Sequence, residues 1–218
     1  MKPYLYIFLF SLISYLLVEI NKNLLNLDSL ILDYLSLNYS QTQIENYFKF
    51  QEKWSTFSYL FVPFFLFFKS IIISSVLNIG TFFYSKTIVT FKQIWIIVIK
   101  SEFIFLIIGI FKIVWFYYFQ TNYTLEDLQY FYPLSALNIV GYQDLEAWFI
   151  YPLQTLNLFE LAYWFILAYY IGKIASPTRN VEENKYPVDF GLKIVASSYG
   201  SALLLWVCVV MFFTLNNS

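Results

Sequence analysis

The sequence contains no histidine. That absence removes the imidazole general base, the histidine-containing zinc sites and serine–histidine dyads together. There is one cysteine, Cys208, so no disulfide can form within the chain. A lone thiol in an apolar run, with no base beside it, reads as a packing residue and not a nucleophile. Charge is also scarce. Charged residues make up 12 % of the chain, about half the ~25 % that a soluble domain uses to cover its surface. The net charge is −1 and no basic stripe is present, so nothing points to nucleic acid. A phosphate-binding loop, a cysteine pair and paired aspartates within apolar runs are missing as well. Catalysis is not expected, and neither is a metal or cofactor site.

What fills the chain instead is apolar side chain. Hydrophobic residues are 60 % of it and aromatics 23 %, with a mean hydropathy of +0.62. A chain of 218 residues cannot hide that much in a core. The composition therefore predicts an all-α, polytopic membrane bundle whose main surroundings are the lipid bilayer. Abundant Phe, Tyr, Ile, Leu, Asn and Lys, with Arg179 the only arginine, fit an AT-rich genome and a bacterial inner membrane.

A span needs about 20 mostly apolar residues. Five segments qualify, at about 3–20, 57–80, 95–119, 156–175 and 190–215. The first is not followed by a small-x-small cleavage site, so it reads as a retained span and not a signal peptide. Basic residues orient the bundle. With the N-terminus in the cytoplasm, the inner side receives Lys2, Lys86, Lys92, Lys173, Arg179, Lys185 and Lys193, against Lys22, Lys49 and Lys53 outside. That predicts N-in and C-out.

The two outer segments, 21–55 and 120–150, are too long for plain loops and too polar to span. Leu24, Leu27, Ile31 and Tyr34 share one helical face, with Asp28 and Asp33 away from it as a candidate partner surface. Thr42 with Glu45, and Thr124 with Asp127, have capping-box spacing. Both segments read as helices in the interface, with Tyr130, Tyr132, Tyr142, Trp148 and Tyr151 at headgroup depth. The triplets Asn38-Tyr39-Ser40 and Asn122-Tyr123-Thr124 have the glycosylation pattern, but in a bacterial chain they read as chance.

Within "VIKSEFIFLIIGIFKIVW", residues 98–115, three charges interrupt the third span. Near the bilayer centre each costs roughly 2.5–3.5 kcal/mol on insertion scales. Lys100 lies close to the inner end and can extend its ammonium to water. Glu102 and Lys112 lie deeper. At about 100° per residue they share one wedge with Phe105 and Gly109, and the glycine admits a close neighbour. The fourth span offers a matching stripe of Asn157, Glu160, Trp164 and Ala168. Depth along the helices predicts two interhelical pairs, Lys112 with Glu160 and Glu102 with Lys69. Such pairs specify packing or line a polar path for a substrate or proton; the remaining alternative is that the charged groups snorkel without a partner. In the fifth span, Ala196 with Gly200, Ser197 with Ser201 and Ser198 with Ala202 have small-x-x-x-small spacing, which predicts close packing inside the bundle.

The stretch "YPLSALNIVGYQDLEAWFIYPLQTLNLFELAYWFILAYYIGKIA", followed by a short polar loop and a last span, resembles the Yip1 family of multispanning membrane proteins. "VTFKQIWIIVIKSEF", residues 89–103, is similar to the amphipathic lead-in to that family's central spans. The resemblance covers about residues 55–215, while the helix at 21–55 departs from the family's N-terminus. It implies a five-span bundle without catalytic residues that acts through other integral membrane proteins. Two functions follow as expectations. One is a non-enzymatic accessory or scaffold subunit of a membrane assembly, of the kind that moves or inserts proteins. The other is a small-molecule or ion carrier, working as a homo-oligomer through Lys69, Glu102, Lys112 and Glu160.

Overall fold

Short polar residues decide where the helices begin and end. The computed structural model describes residues 3–85, 87–176 and 187–217, the side chains of Thr56, Ser58 and Asn217 apart. Lys2, Lys86, Arg179, Glu182, Glu183 and Lys185 lie outside the described residues, as does the part they play in orienting the chain. Helix α1 (Pro3–Leu24) ends where Asn26 turns left-handed, with φ 47°, a state asparagine tolerates better than most residues. Helix α2 (Leu27–Ser36) follows at once. Ser40 and Gln43 then close a capping box, the Ser40 N–H donating to Gln43 Oε1 at 2.9 Å, and α3 (Gln41–Tyr84) begins. The box thus lies two residues before the expected Thr42–Glu45 pair.

A second box, Thr90 with Gln93, opens α4 (Phe91–Glu102). A 3-10 turn at Phe103–Phe105 leads into α5 (Leu106–Val114), and a π turn at Trp115–Phe119 ends that rod. Three short helices gather at one end of the bundle: α6 (Leu125–Tyr130), α7 (Ala136–Val140) and α8 (Ala147–Thr155). The Thr124–Asp127 box caps α6 as its spacing predicts. Ser40 and Thr124 are the hydroxyl residues of the two Asn-x-Ser/Thr triplets, and both hydroxyls are engaged at helix starts. Then come α9 (Leu158–Ala175), α10 (Pro187–Val195), a π turn at Ala196–Gly200, and α11 (Ser201–Asn217). No strand occurs among the described residues.

Five helical stretches are long and apolar enough to cross a membrane: Pro3–Leu24, Tyr59–Tyr84, Phe91–Phe119, Leu158–Ala175 and Pro187–Asn216. The protein is an all-α, multi-pass membrane bundle. One expectation needs correction. Residues 41–55 do not form a separate interfacial helix, because nothing between Gln41 and Pro63 stops helix propagation. They continue α3, whose 44 residues extend about 66 Å at 1.5 Å each, over twice a ~30 Å hydrocarbon core. Pro63 sits inside this helix without ending it.

The core joins α3, α4, α9 and α10 through Leu77, Ile94, Val98, Leu167, Ile171 and Ile194, all fully buried. Helix α1 packs on its flank, where Ile7 meets Leu66 and Ile99. Leu25, Phe116 and Leu128 make a smaller cluster at the loop-rich end.

Helices α9 and α10 touch backbone to backbone. A Cβ on Gly172 would lie 1.7 Å from the Pro187 carbonyl oxygen, and one on Gly191 would lie 1.8 Å from that of Ala168. Neither contact can be relieved by rotating a side chain, so any larger residue must separate the helices. Gly109, by contrast, has only Leu17 Cδ1 nearby, at 3.5 Å. Gly191→Ala should therefore lower the thermal midpoint in detergent by a margin matching roughly 1–3 kcal/mol of overpacking or more. Gly109→Ala should leave it unchanged or raise it, since alanine is favoured over glycine in a helix by up to about 1 kcal/mol. Equal effects of the two substitutions would refute the close-approach account.

Candidate functional site

Buried charge marks the site. Glu102 closes α4 with 2 % of its surface exposed. An isolated carboxylate there would be strongly disfavoured, and both of its oxygens are engaged. Lys69 Nζ of α3 lies 2.7 Å from Oε2. The Tyr163 hydroxyl of α9 donates to Oε1 at 3.0 Å. The same ammonium sits 4.6 Å above the centre of the Phe105 ring, where the negative ring face attracts it. Two neighbouring helices thus satisfy one carboxylate.

A second carboxylate lies nearby. Glu160 is in the first turn of α9, where the helix dipole favours negative charge. Its backbone N–H donates to the capping Asn157 Oδ1 at 2.8 Å. Glu160 Oε1 accepts hydrogen bonds from Tyr199 at 2.7 Å and from Trp164 Nε1 at 3.0 Å. The Tyr163 and Tyr199 rings meet edge-on at 5.6 Å and join the two carboxylate centres. The order is Lys69, Glu102, Tyr163, Tyr199, Glu160, Trp164. Gly200 makes the last contact possible, because a Cβ there would lie 2.5 Å from the Trp164 ring.

Helical irregularity coincides with this network. The 3-10 turn begins directly after Glu102, and Tyr199 sits within the π turn of 196–200. Such departures from regular helix occur often at functional positions. The loop-rich end covers the network. The Ala136 N–H donates to the Leu156 carbonyl at 2.9 Å and the Leu158 N–H to that of Leu134 at 3.2 Å, which lays residues 131–135 over the start of α9. Tyr132 in this segment has its hydroxyl pKa pushed up to about 12, first by burial and then by the negative field of Glu160 and its neighbours Tyr151 and Glu102. An arrangement of two carboxylates and two phenols can hold charge in an apolar medium and pass a proton between hydrogen-bonded oxygens.

The structure brings Glu102 and Lys69 together. It does not bring Lys112 to Glu160, and that pair is corrected. Lys112 donates to the Leu128 carbonyl of α6, while Glu160 is held by Tyr199 and Trp164. The 3-10 turn is the physical reason. At three residues per turn it advances about 120° per residue in place of 100°, so its three residues rotate all that follows by roughly 60°. Gly109 and Lys112 are thereby carried away from α9; Gly109 faces Leu17 of α1 and packs no partner closely. The expected packing role of Ser197 and Ser201 is corrected too. Both are exposed and donate to carbonyls of their own helix; the close contacts of that set are made by Gly200, against Trp164, and by Ser198, against Gly80 of α3. Asp28 pairs with Lys22 at 3.1 Å, both half-exposed. Asp33 lines an open cleft between α2 and α3 with Glu45, Lys49 and Glu52. Trp164 lies on the expected stripe with Asn157 and Glu160, whereas Tyr163 and Tyr199 are not legible as site residues, because tyrosine in apolar runs reads as an interfacial belt.

Comparison with protein-family models, curated proteins and solved structures finds no match for this chain.

Removing Lys69 alone should be costly, on the scale of about 3–5 kcal/mol for stranding a buried partner. The double variant Lys69→Met, Glu102→Gln should be milder, since the amide stays neutral and still accepts from Tyr163. Thermal midpoints of the two variants decide this, and a double variant no more stable than Lys69→Met would overturn the pairing. The effects of Lys112→Met and Glu160→Leu should instead add within about 0.5 kcal/mol, as for sites without shared partners.

Acidity offers a further check. Partial burial raises the Asp127 pKa, but hydrogen bonds from the Thr124 N–H and hydroxyl and from Tyr142 outweigh it, and the net shift is below the ordinary 3.8. A depressed carboxylate pKa stabilises above the unfolded value and loses that stabilisation as pH falls through the folded one. Amide exchange of α6 should therefore accelerate as pH drops below about 3.8, after correction for the intrinsic exchange rate. Asp127→Asn should remove this pH dependence.

Proposed function

We propose that the protein is a non-enzymatic accessory or scaffold subunit of a larger assembly of integral membrane proteins, in a bacterial inner membrane with its N-terminus in the cytoplasm. The lysine and arginine placement supports that orientation, and the resemblance of residues 55–215 to the Yip1 family supports action through other membrane proteins. The observation that carries the reading is the arm of α3. Of its 44 residues, 26 belong to the apolar span, so 18 (44 − 26) project past it, about 27 Å of helix. Aromatic side chains continue onto this arm along one face. Phe50, Trp54 and Phe57 are 63 %, 47 % and 55 % exposed. Their rings lie 6.0 Å and 5.5 Å apart in sequence order, so the face is a continuous apolar strip. A strip of this kind beyond the span favours a protein neighbour. The cleft holding Asp33, Glu45 and Glu52, mainly negative, lies against α2 on the other face of the arm.

Native mass spectrometry after mild extraction tests the reading. Partner chains should appear in fixed ratio, and Phe50→Ser with Trp54→Ser should weaken their retention by about tenfold or more, the scale of losing an aromatic anchor. A clean monomer would count decisively against it. The linked carboxylates favour a second reading, a carrier that moves a proton or small ion through Glu102 and Glu160. Flux into liposomes holding this chain alone, lost in Glu160→Gln, would select the carrier.

A further inference from the structure

Helix α3 leaves one whole face uncovered. Phe50, Trp54, Phe57, Phe61, Phe64 and Phe68 follow one another at steps of four, three, four, three and four residues. Each is between 47 % and 63 % exposed. At about 100° per residue they fall within a stripe roughly 80° wide. The buried residues of the same helix, Leu66, Ser70, Ile73 and Leu77, lie nearly opposite, against α1 and the core. On the arm, Ile44 and Phe48 line the α2 cleft, again away from the stripe. The Phe64 and Phe68 rings are 4.6 Å apart, so the strip of rings on the arm resumes within the span.

Inside the bilayer, lipid can solvate such rings. Phe50 lies outside it. It precedes Tyr59, where the span begins, by nine residues (59 − 50), about 14 Å of helix. The headgroup layer is only about 5–8 Å thick on each side. The arm therefore carries bare aromatic surface into water.

Continuity identifies the occupant. Whatever covers this stripe must be a helix that runs unbroken from the bilayer to well beyond it, at the same depth. A second copy of this chain carries that helix. Insertion gives both copies one orientation, so two α3 helices side by side are parallel and in register, with one patch meeting itself about a two-fold axis. Steps of four and three residues are those at which parallel helices interlock. The area suffices: at roughly 200 Å² per aromatic side chain, six half-exposed rings present about 600 Å² on each copy. The total of about 1,200 Å² is that of a specific interface. Charge permits it as well. Glu45 and Glu52 lie across the helix from the stripe, and Lys53 alone borders it. The two-fold axis puts the two Lys53 side chains on opposite edges of the seam.

We infer that two copies of this chain pair in parallel along α3, the stripe from Phe50 to Phe68 meeting the same stripe of the second copy. The inference rests on the arm being a protein contact, as proposed above, and names that protein.

The test uses the full chain in its membrane, with Cys208→Ser removing its one thiol and a single cysteine introduced at a time. A short thiol-specific crosslinker should join two copies efficiently at Phe50→Cys, Trp54→Cys and Phe57→Cys, and weakly at Phe48→Cys and Glu52→Cys. Native mass spectrometry after mild extraction supplies the second measurement. Copies should appear in pairs, and Phe50→Ser with Trp54→Ser should weaken pairing by about tenfold or more, the scale of losing an aromatic anchor. Ile139→Ser, on an exposed residue of the loop-rich end, should leave it unchanged. Equal crosslinking at all five positions, or none, would overturn the inference. Other chains in fixed ratio, without self-crosslinks along the stripe, would overturn it while leaving the scaffold reading in place. A clean monomer would overturn both.

Discussion

A carboxylate in the middle of an apolar bundle must be neutralised by its neighbours, and much of this structure follows from how Glu102 meets that demand. Water is unavailable to an oxygen so deeply buried. The remaining sources are side chains from adjacent helices, and they must arrive at one depth. Lys69 comes from α3, Tyr163 from α9, and Phe105 lies one helical turn along the same rod as Glu102. The register of three spans is thereby fixed at one point. A sliding error of one residue, about 1.5 Å, would break bonds of 2.7 Å and 3.0 Å together. Apolar packing alone discriminates such slips weakly, because leucine and isoleucine can repack.

The second constraint works on the backbone. Gly172 and Gly191 let α9 and α10 meet at the distance of bare peptide groups, and the π turn that follows α10 turns Tyr199 toward Glu160. Gly200 then gives Trp164 room to donate to the same oxygen. Three absent side chains build that half of the network. Close packing between small residues and buried hydrogen bonding are often described as separate ways to associate helices in a membrane. Here the first brings the groups of the second into range.

These two constraints differ in how visible they are in the sequence. Charge in an apolar run stands out, so Glu102, Lys69, Lys112 and Glu160 could all be selected, and hydropathy alone located the five spans to within a few residues. Pairing Lys69 with Glu102 needed only depth along the axis. Pairing Lys112 with Glu160 needed the angle around it, and that angle is lost across Phe103–Phe105, where three aromatic and β-branched residues give no signal of a 3-10 turn. Small residues mislead in a related way. The Ser197–Ser201 spacing has the appearance of a packing motif but faces outward, while Gly172 and Gly191 lie in different helices and form no motif in either. Only their juxtaposition gives them meaning. The long α3 helix was hidden for a third reason: Lys49, Glu52 and Lys53 interrupt the hydropathy without interrupting the helix.

Lys69 and Lys112 show how a modest change in helix geometry separates two similar residues. Each is a lysine in a predominantly apolar span, and each must satisfy an ammonium within reach of hydrocarbon. Lys69 finds a carboxylate and a ring face on neighbouring helices, so its charge is neutralised internally and its contribution is structural. Lys112 follows the 3-10 turn and is directed to the far side of the rod, where the Leu128 carbonyl of α6 accepts from it. The rotation of roughly 60° replaces what would have been a second interhelical ion pair with a bond to a backbone carbonyl. The first arrangement fixes the depth of three spans against one another, and the second only ties α5 to α6.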